Sequence, residues 1–406
     1  MEITYDPREF VRGLQKILIS DTKRLGFLFG AGTSMATKKG ASEDFKIPGI
    51  KEMTKKIIDS ISINDNKYKC ALDTIKKEME ESKVSYYIEY ILSNITQKEQ
   101  VIGSEKLCGL TKSEFKELRI LIENEIIKLA SVHKKKDLCV AKLLHCDFAQ
   151  WIAQASRKTP VEVFTTNYDY LLEVGLEYHS VPYFDGFIGS YKPFFSTSLV
   201  EDLKFLPQCT KLWKLHGSLG WYLDEESNKI IRRFQDDSTI IVFPSLLKYD
   251  NSKKQPYVSF MDRLSQFIKE DDGVLFINGY SFSDQHINDV LLSALDRTST
   301  SHVIALYYDE LTKDSHVAKL GMGQSKLSIY GKNNAVIGGE FGNWRLKTKP
   351  DSDDSIILNL YFDEDAFEPD KTWTGKGNFK LQDFANFVKF LSYLNYENYI
   401  SSGDNK

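Results

Sequence analysis

Apolar residues change their period several times along this chain, and each change marks an element. Phe10, Leu14, Ile17 and Leu18 fall on one face of a helix. A continuous apolar run from Leu25 to Phe29 follows and stops at Gly30-Ala31-Gly32-Thr33-Ser34. That pattern predicts a buried parallel strand, a tight glycine turn and the start of a helix. Ala36 to Lys46 is small and polar and reads as a loop over the turn, closed by Pro48-Gly49. Helical spacing resumes from Ile50 to Ile61. Residues 62 to about 155 contain no strand pattern. Tyr86, Tyr87, Ile88, Tyr90 and Ile91, then Leu118, Leu121, Ile122, Ile126 and Leu129, keep a helical period. This span is predicted to be a helical module inserted between two strands.

Strand patterns return at Val161 to Thr165, at Lys211 to Leu215, at Thr239 to Phe243 (halted by Pro244), at Gly273 to Asn278 and at His302 to Tyr307, the last of them. Helices are predicted between them, through Leu171, Leu172 and Leu176, from Tyr257 to Ile268 and from Gln285 to Leu295. Alternating strands and helices predict an α/β fold with a doubly wound, mostly parallel, Rossmann-like sheet. Beyond residue 320 the character changes. Gly338-Gly339 and Gly342 precede an acidic stretch at 351–370 without lysine or arginine, and a final apolar helix carries Phe384, Phe387, Val388, Leu391 and Leu394. The expected division is a catalytic unit at 1–320, with its helical module at 62–155, and an appended region at 321–406 that packs on the core or on a partner subunit.

At 406 residues the chain has room for this organisation. Its 53 basic and 57 acidic residues leave a net charge of -4, so no basic excess points to nucleic acid or an acidic membrane. The runs at Lys134 to Lys136 and Arg232-Arg233 read as solvated faces. Five cysteines, at 70, 108, 139, 146 and 209, form no Cys-x-x-Cys pair, which speaks against a zinc ribbon and for a reducing cytoplasm. No stretch resembles a signal peptide or is long enough to span a bilayer.

The candidate chemistry sits directly after the apolar strands. The segments are Gly30 to Ser34, Thr165-Thr166-Asn167-Tyr168-Asp169, His216-Gly217-Ser218 and Gly279-Tyr280-Ser281-Phe282-Ser283-Asp284. A glycine turn admits the backbone close to a pyrophosphate, and amides at a helix start face its charge, so the chain opens as a dinucleotide binder. Plainer roles exist for several of these residues. Met35 stands where the dinucleotide fingerprint has its third glycine. Asp169 and Asp284 both suit helix caps, Thr33 suits a turn support, and the other six histidines and Tyr86, Tyr87 and Tyr90 suit core or surface positions.

Taken together, these four segments resemble the sirtuin family, which shares a Gly-Ala-Gly-x-Ser turn, a Thr-x-Asn-x-Asp segment, a His-Gly pair and a late Gly-x-Ser turn. The resemblance spans roughly residues 20–300. It implies that Gly30, Ala31, Gly32 and Ser34 line the phosphates of NAD, that Asn167 and Asp169 sit by the nicotinamide ribose, that His216 is the catalytic base, that Gly279 and Ser281 hold the adenosine side, and that Thr33 and Thr166 also belong to the cofactor-binding set. The chain lacks the four zinc cysteines of protein-deacylating sirtuins and reads Ile47-Pro48-Gly49-Ile50 where they continue with Pro-Asp-Phe-Arg. In these respects it looks like the zinc-less, sirtuin-like NAD hydrolases of bacterial antiphage defence, which often pair with a HerA-type ATPase. The resemblance therefore implies NAD as substrate, no metal, a cytoplasmic enzyme that splits NAD into nicotinamide and ADP-ribose, a homo-oligomer and such a partner.

The residues suit that chemistry. Nicotinamide leaves NAD as a neutral molecule, so it needs no protonation, unlike the leaving group of an ordinary glycoside. What remains is to stabilise a cationic ribose and position a nucleophile. Asn167 can orient water or a ribose hydroxyl, His216 can accept a proton near neutral pH, and Asp169 can stabilise the cationic sugar or orient the ribose. Two rivals stand beside this reading: a non-catalytic NAD or ADP-ribose sensor or scaffold subunit, and an NAD-dependent protein deacylase.

Overall fold

A strand with no polar position is stable only when both of its faces are covered. The computed structural model describes residues 2–403 apart from 39, 41, 43, 44, 156, 203, 225, 234–254, 299 and 365–371. It places the Leu25–Phe29 run in the interior of a ten-stranded sheet. The strands in chain order are β1 (Thr4–Tyr5), β2 (Arg24–Phe29), β3 (Glu162–Thr165), β4 (Tyr183–Phe184), β5 (Phe187–Ile188), β6 (Phe194–Phe195), β7 (Thr210–Lys214), β8 (Trp221–Asp224), β9 (Lys229–Arg232), β10 (Gly273–Asn278), β11 (His302–Leu306), β12 (Leu327–Tyr330), β13 (Asn334–Ile337), β14 (Glu340–Trp344), β15 (Phe362–Glu364) and β16 (Gly377–Phe379), the last two forming a two-stranded sheet. Across the main sheet the order is β1-β14-β13-β12-β11-β10-β2-β3-β7-β4, while β5, β6, β9 and β8 form a small sheet of their own.

In the main sheet every neighbouring pair from β12 to β4 is parallel, and its antiparallel pairs are β12–β13 and β13–β14. The doubly wound, mostly parallel α/β sheet predicted from the alternation of elements is the one observed. The chain leaves β2 for β3 and β7 on one side, and β10 continues to β11 and β12 on the other. The reversal lies between β2 and β10. Open α/β sheets bind ligands outside the carboxyl ends of their strands at such a point.

The helices in chain order are α1 (Pro7–Ile19), α2 (Ala31–Met35), α3 (Ile50–Asn64), α4 (Asn66–Glu81), α5 (Ile88–Val101), α6 (Lys112–Ala130), α7 (Leu144–Gln154), α8 (Leu171–Tyr178), α9 (Thr197–Glu201), α10 (Tyr257–Lys269), α11 (Gln285–Asp296), α12 (His316–Gly323), α13 (Ser352–Tyr361) and α14 (Phe384–Gly403). Alternation along β2 divides its side chains between two layers. Leu25, Phe27 and Phe29 join a core with α1, α7 and α14, and Leu28 joins a second core with α10 and α11. Phe27 and Phe148 meet edge to face at 5.1 Å, and Phe29 and Phe384 at 5.3 Å. Burying each such ring contributes roughly 1.5–3 kcal/mol. Gly26 makes room for the other layer, because a Cβ there would lie 2.6 Å from the Phe267 ring.

The predicted helical span divides in two. Helices α3 to α6 enclose a separate core that includes Met53, Ile57, Tyr68, Ile75, Ile91, Phe115 and Ile122. Thr111 and Glu114 close a reciprocal capping box at the start of α6. Helix α7, also inside the predicted span, packs through Phe148 and Trp151 on Phe27 of the main sheet instead. The tail after residue 320 extends the same sheet. The strand at 302–306 is followed by three more, where the sequence pattern ended the sheet, and β1 from the N-terminus pairs with β14. Those strands are short and hold few consecutive apolar residues, which hid them. The final helix fills the core beside α7. The strand predicted at 239–243 lies outside the described residues, as do positions 39, 41, 43 and 44 of the predicted 36–46 loop. Within that loop Lys38 is tied to Asp147 at 2.6 Å.

Candidate active site

Parallel register collects the polar strand ends. Strands β10, β2, β3 and β7 are consecutive in the sheet, so Gly279, Gly30, Thr166 and His216 all follow the carboxyl ends of neighbours. Thr165 is level with Lys214, and the Leu215 N–H donates to the Thr165 carbonyl at 2.8 Å. Past these positions both segments leave the sheet, so Asn167 and His216 each lie just beyond the carboxyl end of one of two adjacent strands.

At the glycine turn the close backbone approach is made by the protein itself. A Cβ on Gly30 would strike the Gly279 carbonyl and lie 2.6 Å from the Tyr280 Cα, and one on Gly32 would lie 2.7 Å from the Gly279 Cα. Gly279 has a φ of +68°, and a Cβ there would lie 2.5 Å from the Thr33 nitrogen. The Gly32 N–H donates to the Gly279 carbonyl at 2.9 Å and the Thr33 N–H to the Gly30 carbonyl at 3.0 Å. Two of the amides that the sequence reading turned toward a ligand phosphate are thus used within the turn. The cause is the reversal point: β2 and β10 are neighbours, so their loops leave side by side and pack before diverging. Ala31 is exposed, Thr33 is buried with its hydroxyl on the Gly30 carbonyl at 2.9 Å, and Ser34 is buried. The Thr166 N–H donates to the Phe29 carbonyl at 3.0 Å, and Ser281 is exposed with its hydroxyl 2.9 Å from that of Ser283.

Asn167 fastens this turn to β3. Its Nδ2 lies 3.0 Å from the Gly30 carbonyl oxygen, 3.2 Å from Thr33 Oγ1 and 2.9 Å from Ser34 Oγ. A carbonyl only accepts, so Gly30 sets the orientation of the amide and leaves Oδ1 as its acceptor end. The Ser34 hydroxyl donates onward to Asp169 Oδ2 at 2.8 Å. Asp169 Oδ1 accepts from the Leu171 N–H, the first amide of α8, at 3.0 Å, so Asp169 holds the start of that helix and Ser34 at once. Neither of its oxygens is left as a mobile arm.

Beneath this chain lies a buried ion pair that the sequence pattern did not single out. Lys214 Nζ sits 2.6 Å from Glu173 Oε1 and 2.9 Å from Ser218 Oγ, and it also donates to the Asp169 carbonyl. Complete burial raises the Glu173 carboxyl above its usual range, with Lys214 opposing that rise. From the helical module, His133 meets the Tyr170 ring edge to face at 4.9 Å. Burial lowers the His133 imidazole, and the Asp169 charge acts in the opposite sense. The module therefore borders the site.

His216 has the most informative partner. Its Nε2 lies 3.1 Å from Asp284 Oδ2, with the two side chains only 13% and 10% exposed. Their strands, β7 and β10, stand three places apart, about 14 Å at ~4.8 Å per strand. The 279–284 loop therefore leans across the ends of β2 and β3. Tyr280 holds it there, with its hydroxyl donating to Asn288 Oδ1 at 3.0 Å, while Asn288 Nδ2 donates to the Phe282 carbonyl at 2.8 Å. Phe282 is buried at a φ of +58°, a conformation that costs a non-glycine residue about 1–3 kcal/mol and persists only where its surroundings enforce it. Asp284 is indeed the cap that its position predicted, since Oδ1 accepts from the His286 and Ile287 amides at 3.1 and 3.4 Å. Its contact with His216 had no local sequence signal, because 68 residues separate the two.

A cavity of about 190 Å³ opens at the opposite, amino-terminal edge of the strands, lined by Arg24, Glu162, Lys211, Arg263 and Glu270 among others. Its charges are largely paired with one another, and it is remote from the strand ends described above. Among the described residues no cluster of histidine, cysteine or carboxylate side chains suits a metal ion, and no helix is long and apolar enough to cross a membrane.

Residues 161–324 match a family model described as SIR2-like domain. The match takes in the segments of Asn167, His216, Gly279 and Asp284, begins after the first glycine turn, and covers less than half of the chain. No curated protein matches. Among solved structures, one titled as the crystal structure of a Sir2 homolog–NAD complex is similar at 14% identity and a TM-score of 0.34, covering 77% of this chain and 87% of that one.

Proposed function

We propose that this chain is an NAD glycohydrolase, splitting NAD into nicotinamide and ADP-ribose at the carboxyl ends of β2, β3, β7 and β10. The observation that supports this reading is that Asn167 and His216, the latter in contact with a carboxylate, follow the carboxyl ends of the adjacent strands β3 and β7, beside the sheet's reversal point and within a SIR2-like domain match. In this reading the nicotinamide ribose lies between the two side chains. Asn167 accepts from a ribose hydroxyl or the attacking water through Oδ1. Water attacks C1′, the C1′–nitrogen bond breaks, its electron pair leaves with neutral nicotinamide, and the water proton passes to His216. Asp169 contributes through Ser34 and through its fixed negative charge near the cationic sugar. Gly30, Ala31, Gly32, Thr33, Ser34, Thr166, Gly279 and Ser281 form the rim toward the pyrophosphate and adenosine.

The biological role that fits is depletion of NAD as an antiphage effector in the cytoplasm, held inactive until needed by assembly into a homo-oligomer or by a HerA-type ATPase. The site residues all lie within 1–320, and the 321–406 region, which continues the same sheet and core, also serves assembly. The test is chromatography of NAD incubated with the protein, alone and with such a partner. Nicotinamide and ADP-ribose should appear in equal amounts with wild type and fall to background with His216→Ala. Equal background release by both proteins in every assembly state contradicts the proposal. A second reading, a non-catalytic NAD or ADP-ribose binder, draws support from the engagement of the Asn167 amide hydrogens and the turn amides within the protein. Tight NAD binding without turnover, unchanged by Asn167→Ala, is its signature.

A further inference from the structure

We infer that Asp284 is the positioning residue for His216: it takes the Nε2 edge of the imidazole and so fixes the orientation and the tautomer of the ring. This rests on the reading of His216 as the base given above, and it adds a residue whose position alone marks it as a helix cap.

Several features of the structure lead there together. A carboxylate only accepts, so a neutral imidazole facing Asp284 through Nε2 carries its proton on that nitrogen and its lone pair on Nδ1. Both side chains are mostly shielded from water, so the contact is weakly screened. The carboxylate is itself fixed. Oδ1 is committed to the His286 and Ile287 amides at the start of α11, a helix of 12 residues, whose N-terminal partial positive charge favours the ionised acid. Only Oδ2 is turned to His216. The loop carrying Asp284 spans the ends of two intervening strands and is held by Tyr280, Asn288 and the left-handed Phe282. When His216 takes up a proton, the imidazolium forms with a carboxylate already in contact with it. No reorganisation is then needed as the charge develops.

The test separates this pairing from the hydrolase reading. Asp284→Asn keeps a capping acceptor for α11 while removing the charge; Asp284→Ala removes both. The first measurement is the ¹⁵N spectrum of the histidine rings in selectively labelled full-length protein, with the His216 signals assigned by their loss in His216→Ala. It needs no turnover. Wild type should show the Nε2–H tautomer at neutral pH, and Asp284→Asn should show a mixture of tautomers. The second is nicotinamide release. Asp284→Asn should lower kcat about ten- to hundredfold with KM for NAD little changed and the melting temperature close to that of wild type. An unchanged His216 spectrum in Asp284→Asn, or wild-type kcat in that variant, overturns the inference. A wild type that releases no nicotinamide under any condition overturns the hydrolase reading alone, and the ring spectra still decide the pairing.

Discussion

Asn167 Nδ2 and the Gly30 carbonyl oxygen lie 3.0 Å apart across the ends of β3 and β2. The amide therefore organises the glycine turn before any ligand arrives. Asn167→Asp replaces the donor by an acceptor facing the Gly30 carbonyl, and it is expected to destabilise the fold by about 2–4 kcal/mol, more than Asn167→Ala at about 1–2 kcal/mol. Urea unfolding of the two variants checks this. An Asn167→Asp protein as stable as wild type would mean that the amide does not hold the turn.

Gly32 and Gly279 touch through backbone, so neither neighbour can yield by rotating a side chain. Gly32→Ala should cost about 1–3 kcal/mol through overpacking and should also disturb the 279–284 loop that brings Asp284 to His216. Gly13 in α1 is the control, with nothing within 4 Å of a Cβ there. Gly13→Ala should stabilise by roughly 0.5–1 kcal/mol. Melting curves of both variants decide the sign.

Much of this architecture is legible in the residue pattern. Leu25 to Phe29, Val161 to Thr165 and Gly273 to Asn278 lack polar alternation because they are covered on both faces, and each ends where a loop must begin. The parallel sheet and the gathering of its polar ends follow from that. What the pattern hides is of two kinds. Strands β12 to β14 are short and derive their stability from neighbours rather than from a periodic run. Contacts such as His216 with Asp284, and Lys214 with Glu173, join residues whose separate roles look ordinary, a strand-end histidine, a cap, a strand lysine and a helix glutamate. Only the strand order brings them together. The glycines at 30 and 32 carry a further lesson: their small size was readable, but the backbone they admit belongs to Gly279.

Lys214 and Glu173 form a buried pair that neither partner can leave alone. Lys214→Met strands the Glu173 carboxylate and removes a donor from the Asp169 carbonyl and Ser218, and it should cost about 3–5 kcal/mol. Glu173→Leu in the same molecule should recover a large part of that loss. A double-mutant cycle in denaturant measures the coupling, and additive losses would show that the pair does not act as a unit.

Burial pushes the His145 imidazole down to about 4. Its folded pKa therefore lies below the ordinary value, and the unfolded chain binds the extra proton first. The stability that neutral His145 supports is complete above about pH 6.5 and falls as the pH drops from there toward 4, by on the order of 3 kcal/mol at full protonation. Denaturant unfolding between pH 7 and 4 should show this loss. His145→Leu should flatten that part of the curve, and an identical acid loss in the variant would exclude His145 as its source.

The most direct measurement is a crystal structure of the His216→Ala protein with NAD. The bound nicotinamide ribose should lie at the carboxyl ends of β3 and β7, with Asn167 Oδ1 within hydrogen-bond reach of a ribose hydroxyl and the vacated imidazole volume facing C1′. NAD bound in the Arg24–Lys211–Arg263 cavity at the other edge of the sheet, or with its ribose out of reach of Asn167, would contradict the proposed site.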